Sequence, residues 1–470
     1  MQIKLPKVDK IANSAEFHGL LKPVVLRIAK EVIAEFRTSL VNGENSCASE
    51  EQIIAQIKSR YEKFANLALR PLINATGVVL HTNLGRSVIS PEILSRAQGA
   101  ICAYSNLEFD LASGTRSNRY DYTSALLAEL FGCESALVVN NNAAAVFLVL
   151  NTFARGREVV VSRGELVEIG GSFRVSEVMA NSGAILREVG TTNKTKISDY
   201  QNAINENTAV LMKIHRSNFE ISGFTQSVEI DEISRLAKFA SEKKAEFYEK
   251  KELEFKICEE EKFSEIIDYY DLGSGSVNDL GANLAKNEPK IGEILASGAR
   301  LISFSGDKLF GSVQCGIILG EKSLIQKLRK NQLLRMLRAD KITLAILNET
   351  IKAYINKEFS LIPTIDQIHL PLSELERRAK AVLDALKNTK FQASLIRTKT
   401  FVGGGSLPCK NYDSVALKIE QNASPEEISA KFRARGIIGR IENDKFLLDF
   451  RAILKHDLQK LIKILKEMYE

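Results

Sequence analysis

Leu301-Ile-Ser-Phe-Ser-Gly-Asp-Lys308-Leu-Phe-Gly311 is a short apolar run that ends in a glycine-flanked turn carrying a lysine. A second apolar run ending in glycine, Gln314-Cys-Gly-Ile-Ile-Leu-Gly320, follows at once. Two runs of strand length around one turn put Lys308 at a strand end, released from the sheet. An amine placed there suits a Schiff base with a carbonyl cofactor. Such a lysine must lose its proton to react, so burial and nearby cations would lower its pKa. Taken alone, the same pattern also describes a surface lysine in a turn.

Two upstream segments bear on that choice. Tyr269-Tyr-Asp271-Leu-Gly-Ser-Gly-Ser276 places an acid at the end of another apolar strand candidate, where open α/β sheets hold ligands. Pyridoxal phosphate chemistry needs a carboxylate against the pyridine nitrogen, so that the ring stays protonated and accepts electrons. By itself Asp271 is equally a helix cap or turn residue. Val138-Val-Asn-Asn141-Asn142-Ala143-Ala-Ala-Val-Phe147 reads as a strand, a polar turn and a helix start with small residues. Free N–H groups and the positive helix end there would bind a phosphate. Phosphate turn, aspartate and lysine in this chain order resemble fold-type-I pyridoxal-phosphate enzymes.

The rest of the chain agrees with an α/β architecture. Ala136–Val139, Glu158–Ser162, Ala184–Val189, Ala209–Ile214, Ile266–Leu272, Leu301–Ser305 and Cys315–Leu319 are strand candidates separated by segments of helix length. That alternation predicts a mostly parallel central sheet with helices on both faces. Residues 1–70 read as a helical domain, with Leu20, Leu21, Val24, Val25 and Ile28, then Ile53, Ile54, Ile57 and Tyr61, at helical spacing. Val41-Asn-Gly-Glu-Asn-Ser46 breaks the two helical stretches, and Arg70-Pro71 marks the boundary. The large α/β domain is placed at 71–335. A small α+β domain, with strand signals at Ser414–Ile419 and Lys445–Asp449, is placed at 336–470. Residues 241–265, dense in both charge signs, read as a solvated surface insertion.

At 470 residues with 45% hydrophobic and 26% charged content, the chain has enough apolar surface for a large core, which excludes wholesale disorder. Six cysteines, at 47, 102, 133, 258, 315 and 409, form no C-x-x-C pair and no Cys/His cluster. That pattern excludes a zinc ribbon and a secreted disulfide scaffold, and points to the reduced cytoplasm. No apolar signal-peptide core is present at the N-terminus. The uncharged stretch from Ser135 to Ala154 approaches the length of a spanning helix, but Asn140, Asn141, Asn142 and Asn151 sit inside it. It is read as strand, turn and buried helix, and no membrane partner is expected. A net charge of +6 is mildly basic and permits a polyanionic partner.

Longer motifs narrow the resemblance. Leu72-Ile-Asn-Ala-Thr-Gly77-Val-Val-Leu-His81-Thr-Asn-Leu-Gly85-Arg86-Ser87, Asn106–Asp110 and Gly190-Thr-Thr-Asn-Lys-Thr195 look like the bacterial L-seryl-tRNA(Sec) selenium transferase (selenocysteine synthase) family. So do His215-Arg-Ser-Asn-Phe219 with Gly223-Phe224, Asp271-Leu-Gly-Ser-Gly275 and Ser305-Gly-Asp-Lys308. The similarity runs over nearly the whole chain. It departs from the family pattern in the length of the 241–265 insertion and in Arg216, which stands where a small residue is expected after the histidine.

The resemblance implies that Lys308 holds pyridoxal 5′-phosphate, that Asp271 faces its ring nitrogen, and that Asn141, Asn142 and Ala143 hold its phosphate. It implies conversion of seryl-tRNA(Sec) to selenocysteinyl-tRNA(Sec), by elimination of water to an aminoacrylyl-tRNA and addition of selenium from selenophosphate. Freed Lys308 is the natural base at the α-carbon, with Asp307 beside it to orient or titrate with the donor. Arg86, and the pair Arg335 and Arg338 three apart on one helix face, are the candidates for selenophosphate, because the planar guanidinium fork suits such an anion. Each is otherwise an ordinary surface arginine. His215 and His81 are candidates for cofactor or tRNA-terminus contacts, and Arg116 and Arg119 for a phosphate at a subunit boundary. The family also implies a symmetric homo-oligomer built from dimers, with active sites at the dimer interface.

Lys4, Lys7, Lys10, Lys22, Arg27, Lys30, Arg37, Lys58, Arg60 and Lys63 give the N-terminal helices a basic character suited to tRNA backbone recognition. Two other functions fit parts of the pattern. One is a pyridoxal-phosphate lyase acting on a small amino acid or amino sugar, which has no use for the basic extension. The other is a non-enzymatic RNA-binding protein on this scaffold, against which Lys308 and Asp271 speak.

Overall fold

The computed structural model describes residues 5–42, 49–169, 173–255, 265–278, 288–403 and 405–470. They form two compact units, Met1–Leu72 and Ile73–Glu470. None of the described helices is long and apolar enough to cross a membrane.

The first unit is built on helices Lys22–Val41 and Glu50–Ala65. Ser49 opens the second of these through a capping box with Gln52, each side chain bonding the other's backbone. Val25, Ile28, Ala29, Val32 and Ile33 pack against Ile53 and Ile57 at i, i+3, i+4 spacing; Val25, Ile28, Ile53 and Ile57 belong to the expected pattern, which the core continues through Ala29, Val32 and Ile33. Leu20 and Leu21 do not belong to that stripe: they precede the helix, which begins at Lys22-Pro23, and stay exposed. Of the predicted turn at Val41–Ser46, residues 43–46 lie outside the described residues.

The second unit is organised by one sheet of seven strands: β1 (Ser135–Val139), β2 (Glu158–Ser162), β3 (Ile185–Val189), β4 (Thr208–Ile214), β5 (Ile267–Gly273), β6 (Leu301–Ser305) and β7 (Gly316–Gly320). Their order is β1-β7-β6-β5-β4-β2-β3. The strands are parallel except β7, which runs antiparallel to both β1 and β6. Consecutive side chains alternate between two cores, Val138, Val160, Leu211 and Ile302 facing one, and Leu137, Val159, Val210 and Leu301 the other. Burial on both faces is why the inner strands read as continuous apolar runs, while the edge strand β3 exposes Ile185, Arg187 and Glu188. The strands expected for this sheet all form, within a residue or two of the expected limits.

Helix Asn142–Phe153 follows β1, so the uncharged stretch from 135 is a strand, turn and buried helix. Helix Ile230–Phe255 carries the backbone into the charged insertion, whose residues 256–264 lie outside the described set. Helix Lys341–Ile355 gives Leu344, Leu347 and Ile351 to the sheet's core, so that core extends past residue 336. A separate core gathers Leu375, Val382, Phe432, Phe446, Leu448 and Leu461. It covers an antiparallel sheet of Ala393–Gly403, Ser406–Ile419, Lys445–Asp449 and Arg440–Glu442. Ile73 and Ala75 belong to this core, and Ile73-Asn74 pairs with Ile437-Ile438.

Strand registers align the functional candidates. Gly316 pairs with both Val139 and Ser305, while Asp271 pairs with Ile214 and Ser303. The ends of β1, β4, β5 and β6 therefore meet on one edge of the sheet, and the residues that follow them share one opening.

Candidate active site

That opening is a cavity of about 330 Å³, within the roughly 300–1,000 Å³ typical of small-molecule sites. Arg86, Asn141, Asn142, Ala143, His215, Asp271, Asp307 and Lys308 all line it. Val146, Val167, Val175 and Val178 form an apolar wall.

Close backbone packing shapes the two turns. A Cβ on Gly316 would fall 2.2 Å from the Asn141 carbonyl oxygen, so only glycine lets β7 lie against the asparagine turn. A Cβ on Gly306 would meet the Val313 carbonyl oxygen at 2.7 Å, so glycine is needed where β6 turns toward Lys308.

Asn141 caps its helix: its side-chain oxygen accepts from the Ala144 N–H at 2.9 Å, and its carbonyl from the Ala145 N–H at 3.1 Å. The N–H groups of Asn142 and Ala143, earlier in the turn, have no partner within the helix. Asn142 Nδ2 donates to Asp271 Oδ1 at 2.8 Å, and the Gly273 N–H donates to the same oxygen at 3.1 Å. Among the described residues nothing bonds Asp271 Oδ2, and the buried Asn142 Oδ1 has no partner. Burial pushes the Asp271 carboxyl above its ordinary pKa, against the lowering effect of the Asn142 bond and of the Lys308 charge. Burial lowers the Lys308 pKa; the Asp271 charge opposes this and the Arg86 charge adds to it. Lysine and aspartate are each only 7% exposed.

Arg86 reaches the cavity from a distant stretch of chain. Its φ of 63° lies in the left-handed region, which costs a non-glycine residue about 1–2 kcal/mol. Three bonds hold it there. Arg86 Nη1 pairs with Asp307 Oδ2 at 2.8 Å, the Ser87 N–H reaches the Asp307 carbonyl oxygen, and Ser87 Oγ donates to the Ser312 carbonyl oxygen. His215 follows β4, and its Nε2 lies 3.1 Å from Glu288 Oε2. Ser274 Oγ donates to the other oxygen of Glu288.

Arg335 and Arg338 lie elsewhere and do not share a helix face: the helix spans Leu334–Leu337, and Arg338 follows it in extended backbone bridged to Val139. They line a separate groove of about 790 Å³ with Arg116, Arg119, Arg329 and Lys330. Glu108 anchors that groove, paired with Arg116, with Arg119 and, at 3.9 Å, with Arg338, and these guanidinium groups hold its carboxyl below the usual range. Arg335 is exposed and has no ion-pair partner among the described residues. His81 does not line the Lys308 cavity; burial lowers its pKa, and its Nδ1 is buried without a partner.

Glu288, which pairs with His215 at the cavity, had no sequence signal. Glu288 sits in Lys-Asn-Glu-Pro, a polar stretch without periodicity, and only the folded chain brings it to His215. No group of acids, histidines and cysteines among the described residues could hold a metal ion.

The sequence model of the L-seryl-tRNA selenium transferase family matches residues 72–249 and 245–454. The chain is 55% identical over 465 residues to the L-seryl-tRNA(Sec) selenium transferase of Campylobacter fetus subsp. fetus, covering 99% of this chain and 98% of that one. It is 46% identical to the protein of that name from Aliarcobacter butzleri and 44% identical to that from Wolinella succinogenes, again over 99% of this chain and 98% of each relative. Among solved structures, D-glucosaminate-6-phosphate ammonia-lyase superposes with a TM-score of 0.57 at 18% identity, over 86% of this chain and 97% of that one. That likeness shows a shared fold.

Proposed function

The chain belongs to the L-seryl-tRNA selenium transferase family, and from that premise we propose that it is a pyridoxal-phosphate-dependent enzyme converting seryl-tRNA(Sec) to selenocysteinyl-tRNA(Sec). The reaction is a β-replacement in which the serine hydroxyl leaves as water and selenium from selenophosphate takes its place. The observation that carries the reading is a buried lysine sharing one cavity with a buried aspartate bonded to the start of a helix.

The residues present fit the cofactor. An unbonded carboxylate oxygen on Asp271 asks for a cationic N–H, which a protonated pyridine supplies. The orphaned Asn142 Oδ1 asks for a donor, and the N–H groups of Asn142 and Ala143 ask for an anion at a positive helix end. Lys308, Asp271, Asn141, Asn142 and Ala143 would hold the group. Bound pyridoxal phosphate supplies an electron sink for the charge left when the substrate's α-proton departs.

The chain's own groups do the rest. The bonds that Asp271 accepts from Asn142 and Gly273 favour its charged form and oppose the upward push of burial on its pKa. Lys308 Nζ, with its proton affinity reduced by burial, takes the proton from the serine α-carbon once its amine is free. The valine wall limits water at that carbon. Arg86, fixed by Asp307, offers a guanidinium edge to the phosphate-like donor.

Arg335 and Arg338 join this reading through assembly. One chain leaves them in a separate groove, and a homodimer whose second copy brings that groove to Lys308 would complete the donor site. Residues Met1–Leu72, whose helices expose Lys22, Arg27, Lys30, Arg37, Lys58 and Lys63, form the tRNA-binding domain. The reaction takes place in the cytoplasm, where charged tRNA is found.

The test is direct. Purified protein, reconstituted with pyridoxal phosphate, is incubated with seryl-tRNA(Sec) and selenophosphate, and the amino acid released from the tRNA is identified. Recovery of selenocysteine supports the assignment. Unchanged serine sinks it, and turnover of free serine alone favours a small-molecule lyase.

A further inference from the structure

We propose that a second cavity, separated from the Lys308 cavity by His215, receives the 3′-terminal adenosine of the aminoacylated RNA. The inference rests on the reading above and assigns the part of the substrate next to the reacting serine. This second cavity measures about 600 Å³ and shares Ile214 and His215 with the first. Seryl-tRNA carries its serine as an ester on the terminal ribose. A serine amine at Lys308 therefore leaves the ribose and base only a few bonds away, and a space adjoining the same histidine is where they fit.

The lining has the chemistry of a nucleoside site. Phe219, half-buried, offers a ring face for base stacking, which every base can use. Arg216 and Lys410 bring positive charge for the preceding phosphodiester, in a lining that also holds the Glu220 and Glu229 carboxylates. Thr225 and Ser227 present hydroxyls to the ribose, whose 2′-OH both donates and accepts.

Two buried arrangements keep the cavity in shape. Lys213 is satisfied by Glu165 Oε1 at 3.1 Å and the Val228 carbonyl oxygen at 2.5 Å, so this lysine is already engaged and does not compete for a phosphate there. His215 is anchored by Glu288, itself bonded by Ser274, which makes the histidine a fixed partition between serine and nucleoside.

The experiment uses the full-length holoenzyme and the trinucleotide CCA with 2-aminopurine at its 3′ end. Stacking on Phe219 should quench the fluorescence, and adenosine 5′-monophosphate should reverse the quenching. Phe219→Ala should abolish quenching and raise KM for seryl-tRNA(Sec) about tenfold, with kcat and the cofactor absorbance unchanged. Phe219→Tyr should restore both readouts, which separates stacking from a folding defect. Arg216→Ala should weaken trinucleotide binding in a salt-dependent way. Wild-type quenching and KM in both the Phe219→Ala and Arg216→Ala variants would overturn the proposal. Quenching by a wild-type enzyme that fails to convert seryl-tRNA(Sec) would sink the functional reading and leave the nucleoside site standing.

Discussion

Asn142 Nδ2 and Asp271 Oδ1 stand 2.8 Å apart, a bond that ties the start of a helix to the end of a strand 129 residues further along the chain. In the proposed function it serves two ends at once, since the asparagine begins the helix turn that would hold a phosphate and bonds the carboxylate that would face a ring nitrogen. Replacing Asn142 by Ala removes a lowering influence on a carboxyl that burial already raises, so Asp271 protonates at higher pH. A neutral Asp271 no longer holds a pyridinium. Affinity for pyridoxal phosphate should fall about tenfold, the worth of about 1.5 kcal/mol for a hydrogen bond to a charged group. The acid limb of the activity profile should move to higher pH. Titrating the apoprotein with cofactor by absorbance checks the first expectation, and an unchanged affinity would count against the role of this pair.

Lys308 makes a separate prediction about the cofactor-free protein. Burial lowers its pKa, so the unfolded chain binds the proton more readily than the folded one. Between the lowered folded value and the ordinary 10.5, stability therefore rises with pH. Below that window, the cost of burying the charge is fully present. Lys308→Met removes a group that must be charged or neutralised inside the fold. The apo variant should melt above apo wild type at neutral pH, the gap closing as pH rises toward 10.5. It should also lack any borohydride-reducible chromophore and all turnover. Thermal melts across pH test the first point, and an apo variant less stable than wild type at neutral pH would refute it.

Strand ends were legible because the sheet is buried on both faces. Ala136–Val139 is apolar throughout and Leu301–Ser305 is buried throughout, and the polar group just beyond each is conspicuous. Ala393–Gly403 was not legible, since most of its side chains are half-buried or exposed and no alternation marks it. Glu288 was invisible for a related reason: it acts through one contact with a histidine far away in sequence, and such pairings leave no local pattern. Leu20 and Leu21 show the opposite error, fitting the helical period while lying outside the helix.

The groove that holds Arg335 and Arg338 allows a test of shared sites. Either arginine changed to Ala should weaken use of selenophosphate while leaving dehydration of seryl-tRNA measurable, because neither lines the cavity of Lys308 in its own chain. If donor arginines serve a second copy, then Lys308→Ala and Arg335→Ala chains, each deficient alone, should regain activity when co-expressed. A mixed dimer contains one site with both groups intact. Activity of the mixture no greater than that of Arg335→Ala chains alone would place donor binding elsewhere.

Removing residues 1–70 tests the proposed division of labour between the two units. The first unit has its own apolar core of Ile28, Val32, Ile53 and Ile57, and the second begins at Ile73, locked into the small sheet beside Ile437. A chain starting at Pro71 therefore keeps the strand ends that position Lys308, Asp271 and Asn142, and should retain the cofactor absorbance of the full protein. It should lose binding of seryl-tRNA(Sec). The loss should follow charge: reversing Lys30 and Arg37, both exposed, to Glu in the full chain should weaken tRNA binding and lessen its salt dependence. Filter binding across salt concentrations reads both effects. Undiminished turnover of seryl-tRNA by the shortened chain would show that the basic helices are not where the RNA is held.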